Sequence, residues 1–447
     1  MKIRSEDGYA LPSVLLISLL VVTMLLSILS IIYFTNRGTS SLVEQQKLKL
    51  ACYSVVQMAL VDSSLLYSDS SVIEYDSFNV LLRTRQYGFW REITATSEGI
   101  NDSVKLKSLI GIKGTEDDYF NNAIVISRPN LRATVVGNTE ITGDILGTSD
   151  QIIMGNIFGE SPIKKDYHKG NKKIDLNIKS QIIPDSLFEQ ISKSFSNTQQ
   201  VFVEEEQQEI NQFNLDQFTE GMQYNFPGNL QFSGEIKLKS KEQLKFKAAN
   251  KIEFIENTLI KTPLNLSSDS LIVVKKNCKL ENVILYSNGP IIIEEGSTFK
   301  NVQLFSTDSI DIKGSQFNYP SIICLSINDT ISSNQNKAII IENTIVNGSV
   351  LLMTNTAGLS SNRTKIKIDS DSKVQGLVYS ENNLELIGEV LGTVFTYNFW
   401  YYKEPTEYIN WLINVKVNRV ELNKWFLIPI ALTGENNYQI LKEEWIY

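Results

Sequence analysis

The sequence predicts a mainly β protein: an N-terminal transmembrane helix, a small α+β module, then a parallel β-solenoid with a C-terminal cap. Three observations carry this. Ile272, Ile291 and Ile310 recur at nineteen residues, as do Val274, Ile293 and Ile312. The segment ENVILYS (281–287) returns as KNVQLFS (300–306), with looser echoes in GSVLLMT (348–354), VQGLVYS (374–380) and VLGTVFT (390–396). A fixed period near twenty, built of short β-like units, marks stacked repeats, because one unit cannot bury its apolar face alone. Third, no charged residue occurs between Gly8 and Asn36, and Val14 to Phe34 is nearly all Leu, Ile, Val, Ser and Thr.

Composition bounds the rest. The chain has 447 residues, 42% hydrophobic, enough for a large core and for two or three domains. The net charge of −8 argues against binding driven by nucleic-acid phosphates. Three cysteines, Cys52, Cys278 and Cys324, are too few for a disulfide framework and wrongly spaced for zinc. Cys278 and Cys324 read as small core residues, though sequence leaves a disulfide between them open.

In chain order, residues 1–36 are a polar stub carrying Lys2 and Arg4 and then the apolar run. At 1.5 Å per residue that run spans about 30 Å, a bilayer core. A secretory signal peptide is the rival, but its apolar region would be shorter and end in a small-residue cleavage site. Residues 37–130 read as an amphipathic helix and a small antiparallel sheet. Gly38-Thr39-Ser40 should interrupt or cap the helix, and Leu42 to Val61 carries Leu48, Leu50, Cys52, Val55, Val56 and Ala59 at helical spacing. FWREITATS (89–97) and SVKLKSLIG (103–111) form a hairpin pattern, and NAIVISR (122–128) adds a strand.

The first rungs are expected at 131–160, where apolar residues alternate with Gly, Asn and Thr. Residues 161–228 break the rhythm and read as a charged, partly helical insertion. It holds Lys164, Lys165, Lys172 and Lys173 around His168, a helical pattern from Asp185 to Asn197, and the run Glu204-Glu205-Glu206 with Glu209. The main solenoid is expected over 229–396. KIEFIENTLI, SLIVVKK, PIIIEEG and SIDIKG turn β-branched residues inward and Lys, Glu and Asp outward. Gly289, Gly296, Gly314 and Gly348 mark corners that need unusual backbone angles. After Ile310 the period lengthens, to Ile339, then Ile366, and returns at Leu384. The extra residues form two polar insertions, 328–337 and 354–364, at the same point of the repeat. They predict adjacent loops on one side of the stack, with Asn328, Asp329, Asn334, Asn355, Asn362 and Arg363 as binding candidates. Residues 397–447 hold Trp400, Trp411, Trp425 and Trp445, four of the five tryptophans. They read as a cap over the last open edge, with a sugar-stacking platform as the alternative.

Two resemblances follow from these residues. Lys2 and Arg4, then Gly8, then Tyr9-Ala10-Leu11-Pro12-Ser13 resemble the start of a type IV prepilin. The resemblance implies peptidase cleavage between Gly8 and Tyr9; at the fifth mature position, where that family usually has Glu, this chain has Ser13. LRATVVGNTEITGDILG (131–147) and the later rungs are similar in texture to bactofilins, which implies a parallel right-handed β-helix acting as a scaffold. Together these lead to an expected single-pass membrane protein with its bulk outside the cytoplasm, in the periplasm or at the cell surface. It would be a structural or binding component of minor pilin or pseudopilin kind. Its expected partners are the lipid bilayer, pilus-like assembly proteins or cell-surface polysaccharide, with no nucleic acid. The alternatives are a polysaccharide-active β-helix enzyme and a bactofilin-like self-assembling scaffold. An enzyme of that kind needs acidic residues on neighbouring rungs. Asp308 and Asp311 are the nearest approach, so no catalytic role, cofactor or metal is expected.

Overall fold

The computed structural model describes residues 10–446 apart from 101, 115–118, 131, 150–151, 158–160, 164–165, 180, 183–198, 213–216, 220, 238–242, 328–336, 355–363 and 433–436. Strand accounts for 53% of the described residues, which makes the protein mainly β, with one long N-terminal apolar helix and a large sheet of parallel strands. Two compact units divide it: Met1–Arg85, Glu92–Leu109 and Lys442–Tyr447 in the first, Gln86–Arg91 and Ile110–Leu441 in the second.

The first unit is organised on a single helix, Ala10–Val61. It runs through Gly38-Thr39-Ser40 without the expected interruption. A helical glycine costs only about 1 kcal/mol relative to alanine, and the Thr39 hydroxyl donates back to the Thr35 carbonyl at 2.9 Å, within the helix. The side chains from Leu11 to Phe34 are exposed. By length and composition this helix could cross a membrane. Its second half buries Leu48, Ala51, Cys52, Val55, Val56 and Ala59, an alternation of three- and one-residue steps that keeps one face inward. Bonds tie it down: Ser41 Oγ donates to Asp102 at 2.7 Å, and the Ile100 amide donates to Glu44 at 2.6 Å. A five-stranded sheet follows in the order Ser70–Tyr75, Phe78–Tyr87, Trp90–Glu98, Ser103–Ile112, Tyr438–Ile446. The final strand comes from the chain's end, which no local pattern announced. Glu92, only 4% exposed, accepts from Arg85 at 2.6 Å and pairs with Lys107 at 2.8 Å.

The second unit is the solenoid, and the nineteen-residue spacing is its register. Ile272 pairs with Ile291 and Ile291 with Ile310, all parallel. The lengthened repeats stay in step too: Ile310 pairs with Ile339, Ile339 with Ile366, and Ile366 with Leu384. Inward residues of this face, such as Ile252, Phe254, Ile293 and Ile312, are buried in one continuous core. Outward charges pair across the same period, Lys275 with Glu294 at 2.7 Å and Lys276 with Glu295. Such surface pairs add little to stability, because water screens them.

Corners use two devices. Gly296, Gly314 and Gly348 have positive φ, as expected. Gly289 does not; it is required because a side chain there would strike the Ser270 carbonyl. Asparagines fill equivalent left-handed positions, among them Asn277, Asn282 and Asn301. Asn is the residue other than glycine that tolerates this region most readily. Asn301 Nδ2 donates to Asn282 Oδ1 at 2.8 Å, stacking one corner on the next.

A second face departs from simple alternation. Its strands stack in parallel from Gln199–Phe202 through Met222–Phe226, Leu244–Ala248, Leu264–Ser268, Val283–Ser287 and Gln303–Ser306, and on to Glu389–Lys403. From Tyr286 onward its outward row is apolar and buried: Phe305, Cys324, Leu351, Tyr379 and Phe395. Phe89 stacks on Phe305 at 5.5 Å, and Phe120 meets both Tyr379 and Phe395 at 6.4 Å.

Three expected boundaries are corrected. Ile124–Ile126, read as part of the small antiparallel sheet, is a rung: it pairs in parallel with Val394–Thr396 on one side and Ile145–Gly147 on the other. The tail after Tyr397, read as a cap, lies inside the stack, with Lys416 and Val417 between Glu389 and Val390 on one side and Glu140 and Ile141 on the other. Within the described part of 161–228 lie short strands, His168–Lys169, Lys172–Ile174, Gln199–Phe202, Gln207–Ile210 and Met222–Phe226, joined by turns and irregular segments. Lys172–Ile174 forms a further layer on Ile145–Gly147, while Gln199–Phe202 and Gln207–Ile210 lie beyond the other end of the series. The helical pattern from Asp185 to Asn197 and Lys164-Lys165 fall outside the described residues. The physical reason is common to all three: an open strand edge must be paired, and the strand that pairs it need not be near in sequence.

Candidate functional site

The polar end of that second face forms a groove of about 360 Å³. Its floor is set by alternation along parallel strands. On Met222–Phe226, Tyr224 and Phe226 turn into the core, which leaves Gln223 and Asn225 outward. Phe202, Asn225, Lys247, Ser267 and Tyr286 then occupy one outward row on five successive rungs. Asp269 and Asn288 follow at the corner of the last two rungs. With rungs about 4.8 Å apart, the row is about 19 Å long.

The polar groups are largely fixed before anything binds. Lys247 Nζ and Asp269 Oδ2 pair at 2.9 Å, and Asn288 Nδ2 donates to Asp269 Oδ1 at 3.0 Å. Asn225 Nδ2 donates to Gln200 Oε1 at 3.3 Å while its Oδ1 accepts from Gln223 Nε2 at 2.9 Å. One acceptor is left over. Gln223 is 3% exposed, and its Oε1 has no hydrogen-bond partner among the described residues. At the outer rung Phe202 is 76% exposed. The groove thus offers an aromatic platform, a row of amides and a neutralised ion pair. No signal in the sequence announced it: Gln223 and Asn225 lie on one rung and Lys247 on the next, and the first of these rungs was read as insertion.

The residues expected to form a site lie elsewhere in the chain, outside the described residues. These are Gly8 and Tyr9, and Asn328, Asp329, Asn334, Asn355, Asn362 and Arg363. The strands that carry the two loops are described. Ile327 pairs with Thr354 where the loops leave, and Ala338 with Lys365 where they return, so both insertions do spring from adjacent rungs. Beside these strand ends lies a buried polar cluster. Glu381, 1% exposed, accepts from Tyr379 Oη and from the Thr354 amide, both at 2.7 Å. Lys365 pairs with Glu385 at 2.6 Å and lies 4.1 Å from the Trp400 ring centre. Trp400 is buried, and Trp411 packs against Tyr408 at 5.5 Å, while Trp425 is 83% exposed. The aromatic tail is therefore mostly packing rather than platform. His168 is a strand residue whose Nε2 meets the Gly143 carbonyl at 3.0 Å.

Asp308 and Asp311 do not build an acidic ladder. Asp311 stands in register with Ile292 and Ile340, and burial, partly offset by Lys313, raises its carboxyl above the ordinary range. Among the described residues no group of His, Cys, Asp and Glu is placed to hold a metal. The three cysteines are free and buried. Cys278 belongs to the solenoid core, where burial pushes its thiol up to about 11. Cys324 faces out of the core, with Sγ 3.8 Å from Met353 Sδ. No disulfide joins the two.

No family model matches the chain, and no curated protein matches it. Two solved structures are similar at low identity. One is the crystal structure of an ice binding protein from an Antarctic bacterium, Flavobacteriaceae, at 10% identity and TM-score 0.17, covering 68% of this chain and 97% of that one. The other is the competence-associated pilin ComZ from Thermus thermophilus, at 8% identity and TM-score 0.20, covering 85% of this chain and 86% of that one. At these scores neither likeness bears on the site.

Proposed function

We propose that this protein is a membrane-anchored, extracytoplasmic structural or binding protein that displays a β-solenoid. In this reading its N-terminus is of the type IV prepilin kind and its rungs are bactofilin-like. One observation carries it. The helix Ala10–Val61 is packed only along its second half, and its apolar side chains from Leu11 to Phe34 stand exposed. Apolar surface left in water costs about 25 cal/mol per Å², and a bilayer core of about 30 Å removes it for a run of this length. We place the body in the periplasm or at the cell surface. The partners proposed are the bilayer itself and pilus-like assembly proteins or cell-surface polysaccharide.

Fractionation with N-terminal sequencing tests the proposal. The protein is expected in the membrane fraction, released by detergent but not by salt, with Tyr9 as its first residue. An intact Met1 in the membrane fraction would leave a plain signal anchor. A soluble product beginning near residue 37 would overturn the anchor altogether.

A further inference from the structure

We propose that the groove between Phe202 and Tyr286 binds a linear, neutral glycan laid across the rungs. The proposal extends the display reading above, but its test is separate, because binding is measured whatever fraction the protein occupies.

The first support is the unpartnered acceptor. Gln223 lines the groove, and leaving its Oε1 buried without a donor is unfavourable; a small opening of the groove wall on binding would let a ligand hydroxyl or N–H supply one. The amide network on its other side, through Asn225 to Gln200, holds the side chain in place. The second support is charge. Lys247 is matched by Asp269, so the pair presents hydrogen-bonding capacity without net attraction for an anion. A ligand rich in hydroxyls fits this better than a phosphate or a carboxylate. The third is Phe202. Its ring is 76% exposed and lines the groove at the outer rung, and the C–H face of a sugar is a natural partner for a flat apolar ring. Finally, the row repeats with each rung, which suits a polymer whose own polar groups repeat along its length. A volume of about 360 Å³ lies in the range of ordinary ligand sites.

Calorimetric titration of the detergent-solubilised full chain is the test, with cello-, chito-, malto- and xylohexaose as probes. At least one hexasaccharide is expected to bind, and its affinity should fall about tenfold in Phe202→Ala, the loss of one stacking contact. Gln223→Met, which keeps the side chain's length but removes both its acceptor and its donation to Asn225 Oδ1, should weaken binding of the same ligand. Phe202→Ala should melt at the wild-type temperature, since the ring is exposed. Absence of binding by every probe would overturn the proposal, as would binding that both variants leave unchanged. Phe202-dependent self-association seen by sedimentation, without saccharide binding, would also overturn it and assign the row to a second copy of this chain.

Discussion

Truncating Ile293 to alanine tests the register on which the solenoid rests. Ile293 is 1% exposed and stands in parallel register between Val274 and Ile312. The substitution removes three carbons, worth about 2.4 kcal/mol at ~0.8 per buried CH₂. Rungs above and below hold the site open, so little collapse is available. A residual void of about 50 Å³ adds about 1.2 kcal/mol at ~24 cal/mol per Å³. The expected loss is therefore about 3.5 kcal/mol. The neighbouring Ile292 points outward, is 38% exposed, and pairs with Val273 and Asp311. Ile292→Ala should cost under about 1 kcal/mol. Urea unfolding of a fragment from Gly38 onward, followed by tryptophan fluorescence, measures both, with the slope expected to stay constant. Equal losses in the two variants would refute the register, because a one-residue slip exchanges the two faces of the strand.

Two further predictions concern single side chains. Burial alone would raise the Glu92 carboxyl, but Arg85 and Lys107 outweigh it and hold it below the ordinary value of 4.5. A depressed carboxyl contributes stability above its unfolded value and loses it as pH falls through the folded one. Glu92→Gln should therefore cost about 1–3 kcal/mol at pH 7, and thermal melting should show the gap to wild type closing below pH 4.5; a gap unchanged down to pH 2 would exclude the assignment. Gly376 has φ +149°, and a side chain there would strike the Gly348 carbonyl and the Phe426 ring. Gly376→Ala should destabilise the solenoid by about 1–3 kcal/mol, and wild-type melting of that variant would contradict so close an approach to the Gly348 carbonyl.

Much of the fold is legible in the sequence because it is periodic. A strand buried on one side writes its register into every second residue, so Ile272, Ile291 and Ile310 could be aligned without coordinates. The longer steps to Ile339 and Ile366 could be followed for the same reason: polar insertions interrupt the period but do not shift its phase. The groove was not legible. Its outward residues are Gln, Asn, Lys and Ser, which on any single strand read as ordinary solvated positions. Only stacking brings Gln223, Asn225, Lys247 and Asp269 together, and only packing leaves Gln223 Oε1 without a donor.

By itself the sequence determined the apolar helix, the mainly β class and the pairing of the regular rungs, since each depends on residues close in the chain. The order in which distant segments join the stack was decided by the tertiary structure. Ile124 lies against Val394, and Val417 between Val390 and Ile141, so the early rungs cover the edge that the late ones leave open. Pairing across some 270 residues leaves no local period to read. It is fixed by the requirement that backbone donors and acceptors at a strand edge find partners, and a strand from anywhere in the chain can meet it.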